Sequence, residues 1–244
     1  MSFFIELAKN NKFLPATNHL LKPRFYDSDE LFNENLKTQP ANWYYKKANV
    51  NYTLNHNGYR AVDFDTVDWE NSIAMFGCSQ LFGVGLDDTD TLPSQLSFLI
   101  KRPVINLGVI GSSMMFSFHN SLILKNICAK PLAVINMWTN HNRGVFYSEP
   151  LQHCGAWNYY TSPYAREWMS DSNNTATHAY FISTASKHLW SNTSYYEFSL
   201  FKETVEAIGC DDLNIDGGDY ARDLVHEGRN TFKSISVSIA NKLF

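Results

Sequence analysis

Apolar positions are sparse and irregular through the first 70 or so residues, and then settle into short runs alternating with helical spacings. Ser72-Ile73-Ala74-Met75-Phe76 is an apolar run closed by Gly77, which reads as a buried strand. Leu92, Leu96, Leu99 and Ile100 recur at helical spacing and predict a helix. Pro103 to Gly108 reads as a second strand ending in glycine, Met114 to Ile127 as a second helix, and Leu132 to Met137 as a third strand. Strands separated by helices imply right-handed crossovers and parallel pairing. The expected fold class is therefore α/β, a three-layer α/β/α sandwich with a mostly parallel central sheet. Chemistry in such sheets collects beyond the carboxyl ends of the strands. Ser79, Gly108 and Asn140 each fall at one of those ends.

The flanks of this pattern are less regular. Residues 1–70, with Pro15, Pro23, Pro40 and many asparagines, read as an extension packed on a core domain spanning 71–244. Within the extension, Asn57-Gly58 between Tyr52-Thr53-Leu54 and Tyr59-Arg60-Ala61-Val62 signals a hairpin. Residues 141–190 break the strand–helix alternation, as a lid or a packed surface loop would. Tyr195 to Ile208 reads as one helix with Phe198, Phe201, Val205 and Ile208 on a stripe, and Asn230 to Leu243 as a closing helix.

Composition narrows the function classes. At 244 residues the chain is long enough to bury one sizeable core. A net charge of −4 without a Lys/Arg cluster gives no electrostatic reason to expect nucleic acid. No apolar run approaches the ~20 residues needed to span a bilayer, and Met1 to Lys12 lack a secretory pattern. The expected setting is cytoplasmic or virion-associated. Cys78, Cys128, Cys154 and Cys210 have neither zinc-site nor disulfide-framework spacing, and read as reduced residues.

Candidate chemistry concentrates in Ala221-Arg222-Asp223-Leu224-Val225-His226-Glu227-Gly228 and, far upstream, Phe76-Gly77-Cys78-Ser79-Gln80. An Asp three residues before a His shares its turn, so the carboxylate can accept the Nδ1 proton and leave Nε2 as a base. A serine on a sharp strand-to-helix turn is the third group such a pair needs. Ser79 is the candidate nucleophile, His226 the general base and Asp223 the group that orients it.

Taken together, these blocks resemble the SGNH hydrolases, the GDSL-type esterase/lipase superfamily, over roughly residues 57–242. Gly77-Cys78-Ser79 followed by Gly83 and Gly85 is similar to the family's first block, with Cys78 in place of the usual Asp. Asn106-Leu107-Gly108-Val109-Ile110-Gly111 is similar to the second, and Asp223-Leu224-Val225-His226 to the last. The third block departs, reading Trp138-Thr139-Asn140-His141 where the family has Gly-x-Asn-Asp. The resemblance implies an SGNH-hydrolase or flavodoxin-like sandwich. It also implies hydrolysis of an acyl ester without metal or organic cofactor, with an O-acetylated carbohydrate as one substrate. Its oxyanion hole would be formed by the Ser79 and Gly108 N–H groups and the Asn140 amide, with Asn142 as a rival to Asn140.

Two other readings use the same residues. Asp212, Asn214, Asp216 and Asp223 fit the spacing of a calcium loop, although Asp223 replaces the long bidentate Glu. The chain could also be a non-catalytic binding or structural module, such as a virion or assembly component, built on the same scaffold. Trp157, Tyr159, Tyr160, Tyr164 and Trp168 offer rings for sugar stacking or an acyl pocket, or simply pack a long loop. His119 and His153 lack partners at ligand spacing and read as structural.

Overall fold

The computed structural model describes residues 12–14, 27–128, 130–146, 152–215 and 217–243. Five strands form one parallel sheet: β1 (Ile73–Gly77), β2 (Val104–Gly108), β3 (Ala133–Trp138), β6 (Tyr195–Ser199) and the short β7 (Asp211–Asp212). Their order across the sheet is β2-β1-β3-β6-β7. A separate antiparallel pair joins β4 (Gly144–Phe146) to β5 (Gln152–Cys154).

Alternation along β1 produces the layers. Ala74 and Phe76 enter one apolar cluster with Phe116, Ile123 and Leu124 of α4 (Met114–Ile127). Ile73 and Met75 enter the other, with Leu92 and Leu96 of α3 (Leu92–Ile100) and Phe232, Ile235 and Ile239 of α8 (Arg229–Leu243). Successive strand side chains point to opposite faces, so a strand buried on both sides must be apolar throughout, as β1 is. The three-layer α/β/α architecture follows directly.

The predicted helices over 92–100 and 114–127 form with those bounds. Each has a side-chain cap. Thr91 Oγ1 accepts the Ser94 N–H, and Ser113 Oγ accepts the Phe116 N–H. Three expectations are corrected. Tyr195 to Ile208 is a strand followed by a helix, β6 and then α7 (Lys202–Ile208). The helical stripe of Phe198, Phe201, Val205 and Ile208 ran across a strand-to-helix junction, and only its second half is helical. Around Asn57-Gly58 there is a tight turn without strands, closed by Asn55 N–H to Tyr59 O at 2.8 Å and Gly58 N–H to Asn55 O at 2.9 Å. Residues 141–190 hold the β4–β5 pair, α5 (Pro163–Met169) and the 18-residue α6 (Ser172–Leu189), which packs on α4. Helix α6 escaped the pattern because its buried face is Thr175, Ala179, Ile182, Ser183 and Ser186, mostly small or hydroxylic.

Ahead of β1, α1 (Asp29–Thr38) and the loops to Asn71 lie over the sheet's helices, with Tyr45, Tyr59, Phe64 and Trp69 buried. No described helix is long and apolar enough to cross a membrane. All four cysteines carry free thiols, and three of them are buried.

Gly108 closes β2 against α2 (Ser79–Phe82), the helix that begins at the candidate nucleophile. A Cβ there would lie 2.5 Å from the Phe82 backbone nitrogen and 3.0 Å from the Leu81 carbonyl carbon. Backbone cannot swing aside as a side chain can. Gly108→Ala should therefore lower stability by about 1–3 kcal/mol, the usual cost of overpacking, read as a lower urea midpoint at unchanged slope.

Candidate active site

The sheet has a switch point between β1 and β3. From β1 the chain crosses to β2 on one side, and from β2 it returns past β1 to β3 on the other. Crevices for ligands open at the carboxyl ends of strands flanking such a point. Ser79 is the second residue past β1, and Asn140 the second past β3.

Ser79 begins α2 after Cys78, whose extended backbone (φ −103°, ψ −150°) turns the chain sharply from strand to helix. Its side chain is 6% exposed. The carbonyl of Gly77 just before the turn is held by the Val109 N–H at 3.1 Å and the Ser112 hydroxyl at 3.0 Å. The Ser79 turn is thus fixed by the residues that follow β2.

Asp223 and His226 meet as expected. His226 Nδ1 lies 2.5 Å from Asp223 Oδ2, and both residues are buried. Asp223 Oδ1 accepts the Val225 and His226 N–H groups, each at 3.1 Å. A carboxylate whose partners are backbone N–H groups and a ring nitrogen acts as acceptor to all three. In the neutral ring, Nδ1 is then the protonated nitrogen and Nε2 the acceptor. Leu224 reaches φ 59° to close this loop, a conformation costly for a branched residue. The Ala221 N–H to His226 O bond at 2.8 Å locks the loop's ends.

Two contacts bring the loop to the nucleophile turn. The Glu227 N–H points to Gln80 Oε1 at 3.5 Å, joining the neighbours of His226 and Ser79. Arg222 N–H donates to Gly85 O at 3.2 Å. Gly85 has φ +76°, and a Cβ on it would lie 2.9 Å from Ala221 Cβ and 3.2 Å from the Asp223 nitrogen. Only glycine permits this approach.

The oxyanion residues divide. Asn140 Oδ1 accepts the Asn142 N–H at 3.1 Å, so the amide NH₂ is the end presented as donor. Thr204 of α7 secures this turn, accepting the His141 N–H at 2.9 Å and donating to Thr139 O at 3.1 Å. Asn142 thus supplies the N–H that orients the Asn140 side chain. The Gly108 N–H donates to Asn106 Oδ1 at 2.9 Å inside the protein. Asn106 Nδ2 meanwhile donates to Leu81 O at 3.0 Å, tying β2 to α2. Gly111, at φ 74°, lies half-buried in the turn past β2.

Asp219 accepts the Asn230 and Thr231 N–H groups at the start of α8, Asp212 accepts the Asn214 N–H, and Asp223 holds His226. Asp216 lies outside the described residues. Among the described residues, no three His, Cys, Asp or Glu side chains converge on one point. His119 and His153 are held by burial down to about 4, so both are neutral near pH 7. Tyr160 and Tyr164 are exposed, Phe146 packs on Tyr164 with ring centroids 4.9 Å apart, and Trp168 lies against Gly144.

With this geometry in place, comparison with known proteins adds context. No protein-family model and no curated protein matches the chain. Among solved structures it is similar to a carbohydrate esterase family 2 enzyme with a carbohydrate-binding domain from Corynascus thermopiles (Myceliophthora fergusii), at 11% identity and a TM-score of 0.46, over 71% of this chain and 65% of that one. The chain thus spans just under two thirds of that enzyme's length. It is also similar to a carbohydrate acetylesterase family member from Sinorhizobium meliloti, at 11% identity and TM-score 0.43, over 71% and 98%. A third is the psychrotrophic esterase EstA from Pseudoalteromonas sp., at 13% identity and TM-score 0.43, over 70% and 95%. At these identities the chemistry of this chain rests on its own residues.

Glu227 is the residue that sequence reasoning passed over. Burial pushes its carboxyl above the ordinary range, the Asp223 charge adds to the rise, and its own backbone N–H and His226 oppose it. Its Oε2 is buried without a hydrogen-bond partner. A carboxyl raised in the folded state favours folding fully below its unfolded value of 4.5, and that contribution is lost as pH rises through the raised value. Glu227→Gln should therefore stabilise the protein at pH 7 and do little at pH 4. Melting temperatures of the two proteins across that range test this.

Proposed function

We propose that this protein is a serine esterase, with Ser79 as nucleophile, His226 as general base and Asp223 as its orienting carboxylate. The observation that carries the reading is the buried Asp223–His226 pair, docked through Glu227 and Gln80 against the strand-to-helix turn that bears Ser79. Ser79 Oγ attacks the ester carbonyl carbon while His226 Nε2 takes its proton. The oxyanion is held by the Ser79 N–H at the start of α2, the Asn140 amide and, in place of Gly108, the Gly111 N–H. Collapse breaks the bond to the alcohol oxygen, which receives the proton from His226. Water then attacks the acyl carbon as His226 takes its proton, and His226 returns that proton to Ser79 Oγ as the acyl–oxygen bond breaks and the acid leaves. No step calls for a metal or an organic cofactor. Each oxyanion donor of this kind is worth about 10²–10³ in rate.

The acyl group is small in this reading, and the alcohol is a carbohydrate. Support for the sugar comes from Phe146 and Tyr164, whose paired rings lie on the segments that follow Asn140, with Tyr164 half exposed.

A fluorophosphonate probe should label the wild-type protein at Ser79, and Ser79→Ala should abolish both labelling and hydrolysis of p-nitrophenyl acetate. An inert but folded wild type would instead indicate a binding or structural module on the same scaffold, and chelator should not change the rate. Tyr164→Ala should raise KM for an acetylated oligosaccharide several-fold and leave p-nitrophenyl acetate unaffected. Equal effects on the two substrates would remove the carbohydrate assignment.

A further inference from the structure

The residues ahead of the sheet reach into the joint between the two halves of this site. Arg60, 6% exposed, points its guanidinium at the far end of the nucleophile helix α2. Its Nη1 donates to Gly83 O at 2.7 Å and Phe82 O at 3.2 Å, and its Nη2 to Leu86 O at 2.7 Å and Asn51 O at 2.6 Å. Its Nε donates to Asp88 at 2.6 Å. Those carbonyls include the last ones of α2, where a fixed positive charge is favourable. The Tyr52 ring lies beneath the guanidinium, 4.5 Å from centroid to carbon, and stacks on Phe82.

The Tyr52 hydroxyl continues the chain of contacts. It accepts the Gly85 N–H at 2.8 Å and donates to Asp27 Oδ2 at 2.5 Å. Asp27, 2% exposed, receives a bidentate pair from Arg222, with Nε to Oδ1 at 2.6 Å and Nη2 to Oδ2 at 2.8 Å. Arg222 directly precedes Asp223. Its carbonyl accepts Asn35 Nδ2 of α1 at 2.9 Å, and its guanidinium lies over Phe32. The path from the end of the Ser79 helix to the residue beside Asp223 is therefore Arg60, Tyr52, Asp27, Arg222. All of it is buried or half-buried, and three of its four members lie before the sheet.

We propose that Asp27, Tyr52 and Arg60, acting through Arg222, are positioning residues that set the Asp223–His226 loop in register with Ser79. The inference rests on the esterase reading for its meaning. Its physical content, a strap that holds one loop against another, is separable. Nothing in the strap touches the reacting atoms. It acts by fixing where Gly85 and Arg222 stand, and misplacement of a catalytic group by about 1 Å can cost on the order of 10²-fold in rate. A fork-shaped guanidinium is required at position 222, because a lysine ammonium cannot hold both Asp27 oxygens in one plane. Burial first, and then Asp27, push the Tyr52 phenol above its ordinary range, so it remains a donor at any working pH.

The test uses the full chain with Tyr52→Phe, which keeps the ring on Arg60 and removes only the bridging hydroxyl, together with Arg222→Lys and a control, Ile239→Val, in the core of α8. Labelling by the fluorophosphonate and kcat for p-nitrophenyl acetate should each fall about 10–100-fold in Tyr52→Phe, with KM within two-fold. Arg222→Lys should not rescue, and Ile239→Val should retain wild-type rates despite its lower melting temperature. In parallel, amide hydrogen exchange of residues 221–228 should speed up in Tyr52→Phe and stay unchanged in the control. Wild-type labelling and exchange in Tyr52→Phe would overturn the strap. Loss of rate matched by Ile239→Val would overturn it too, as a plain stability effect. An inert wild-type protein would remove the esterase reading instead, and the exchange data alone would then decide whether the strap holds the loop.

Discussion

The geometry of Asp223 is the constraint from which the site is built. One oxygen accepts two N–H groups of its own loop, and the other accepts the imidazole of His226. The loop must bend tightly enough for one carboxylate to serve both, which forces Leu224 into the left-handed region. Such a turn defines itself locally. It does not define where it sits, and a dyad is chemically idle unless its Nε2 faces a nucleophile. In the esterase reading that second requirement falls to long-range contacts, chiefly the approach of Gly85 to residues 221–223 and the Glu227–Gln80 hydrogen bond.

The sheet supplies the other half. Buried on both faces, β1 and β3 cannot shift register without moving polar groups into apolar layers, so their ends are fixed points in the molecule. Ser79 and Asn140 inherit that rigidity because each lies two residues beyond a strand end. Side-chain bonds then refine it. Thr204 holds the turn after β3, and Asn106 joins the end of β2 to α2 through Leu81. The Gly108 N–H belongs to this internal frame. A donor already satisfied inside the protein cannot also face a developing oxyanion.

How much of this was legible in the sequence depends on the kind of signal each part carries. Runs such as Ile73–Phe76 and spacings such as Leu92, Leu96 and Ile100 state their structure because burial there is entirely apolar. The Asp223–His226 contact was legible for a related reason, since three residues along one turn determine it. Strand β6 was not. It carries Glu197, a buried carboxylate satisfied by Trp138 Nε1, Ser183, Tyr195 and Lys187, and a charge in the middle of a strand hides the apolar pattern. Helix α6 hid likewise behind small and hydroxylic residues that pack closely without looking hydrophobic. A sequence shows which residues lack a Cβ, as at Gly108 and Gly111, and not which N–H is already bonded.

Least legible of all was the strap, and the reason is physical. A hydrogen bond between Asp27 and Arg222 spans 195 positions of chain and has no period, run or spacing to announce it. Nor is it the kind of contact that apolar packing could not replace energetically, because desolvating a buried ion pair offsets much of its attraction. What a bidentate pair adds over apolar packing is direction. Two parallel hydrogen bonds in one plane fix the Arg222 side chain in orientation as well as position, and Tyr52 fixes Asp27 in turn. Apolar side chains of the same volume would fill the space and let the loop slide. For two segments that must meet at a set angle, orientation is the property that packing alone leaves unset.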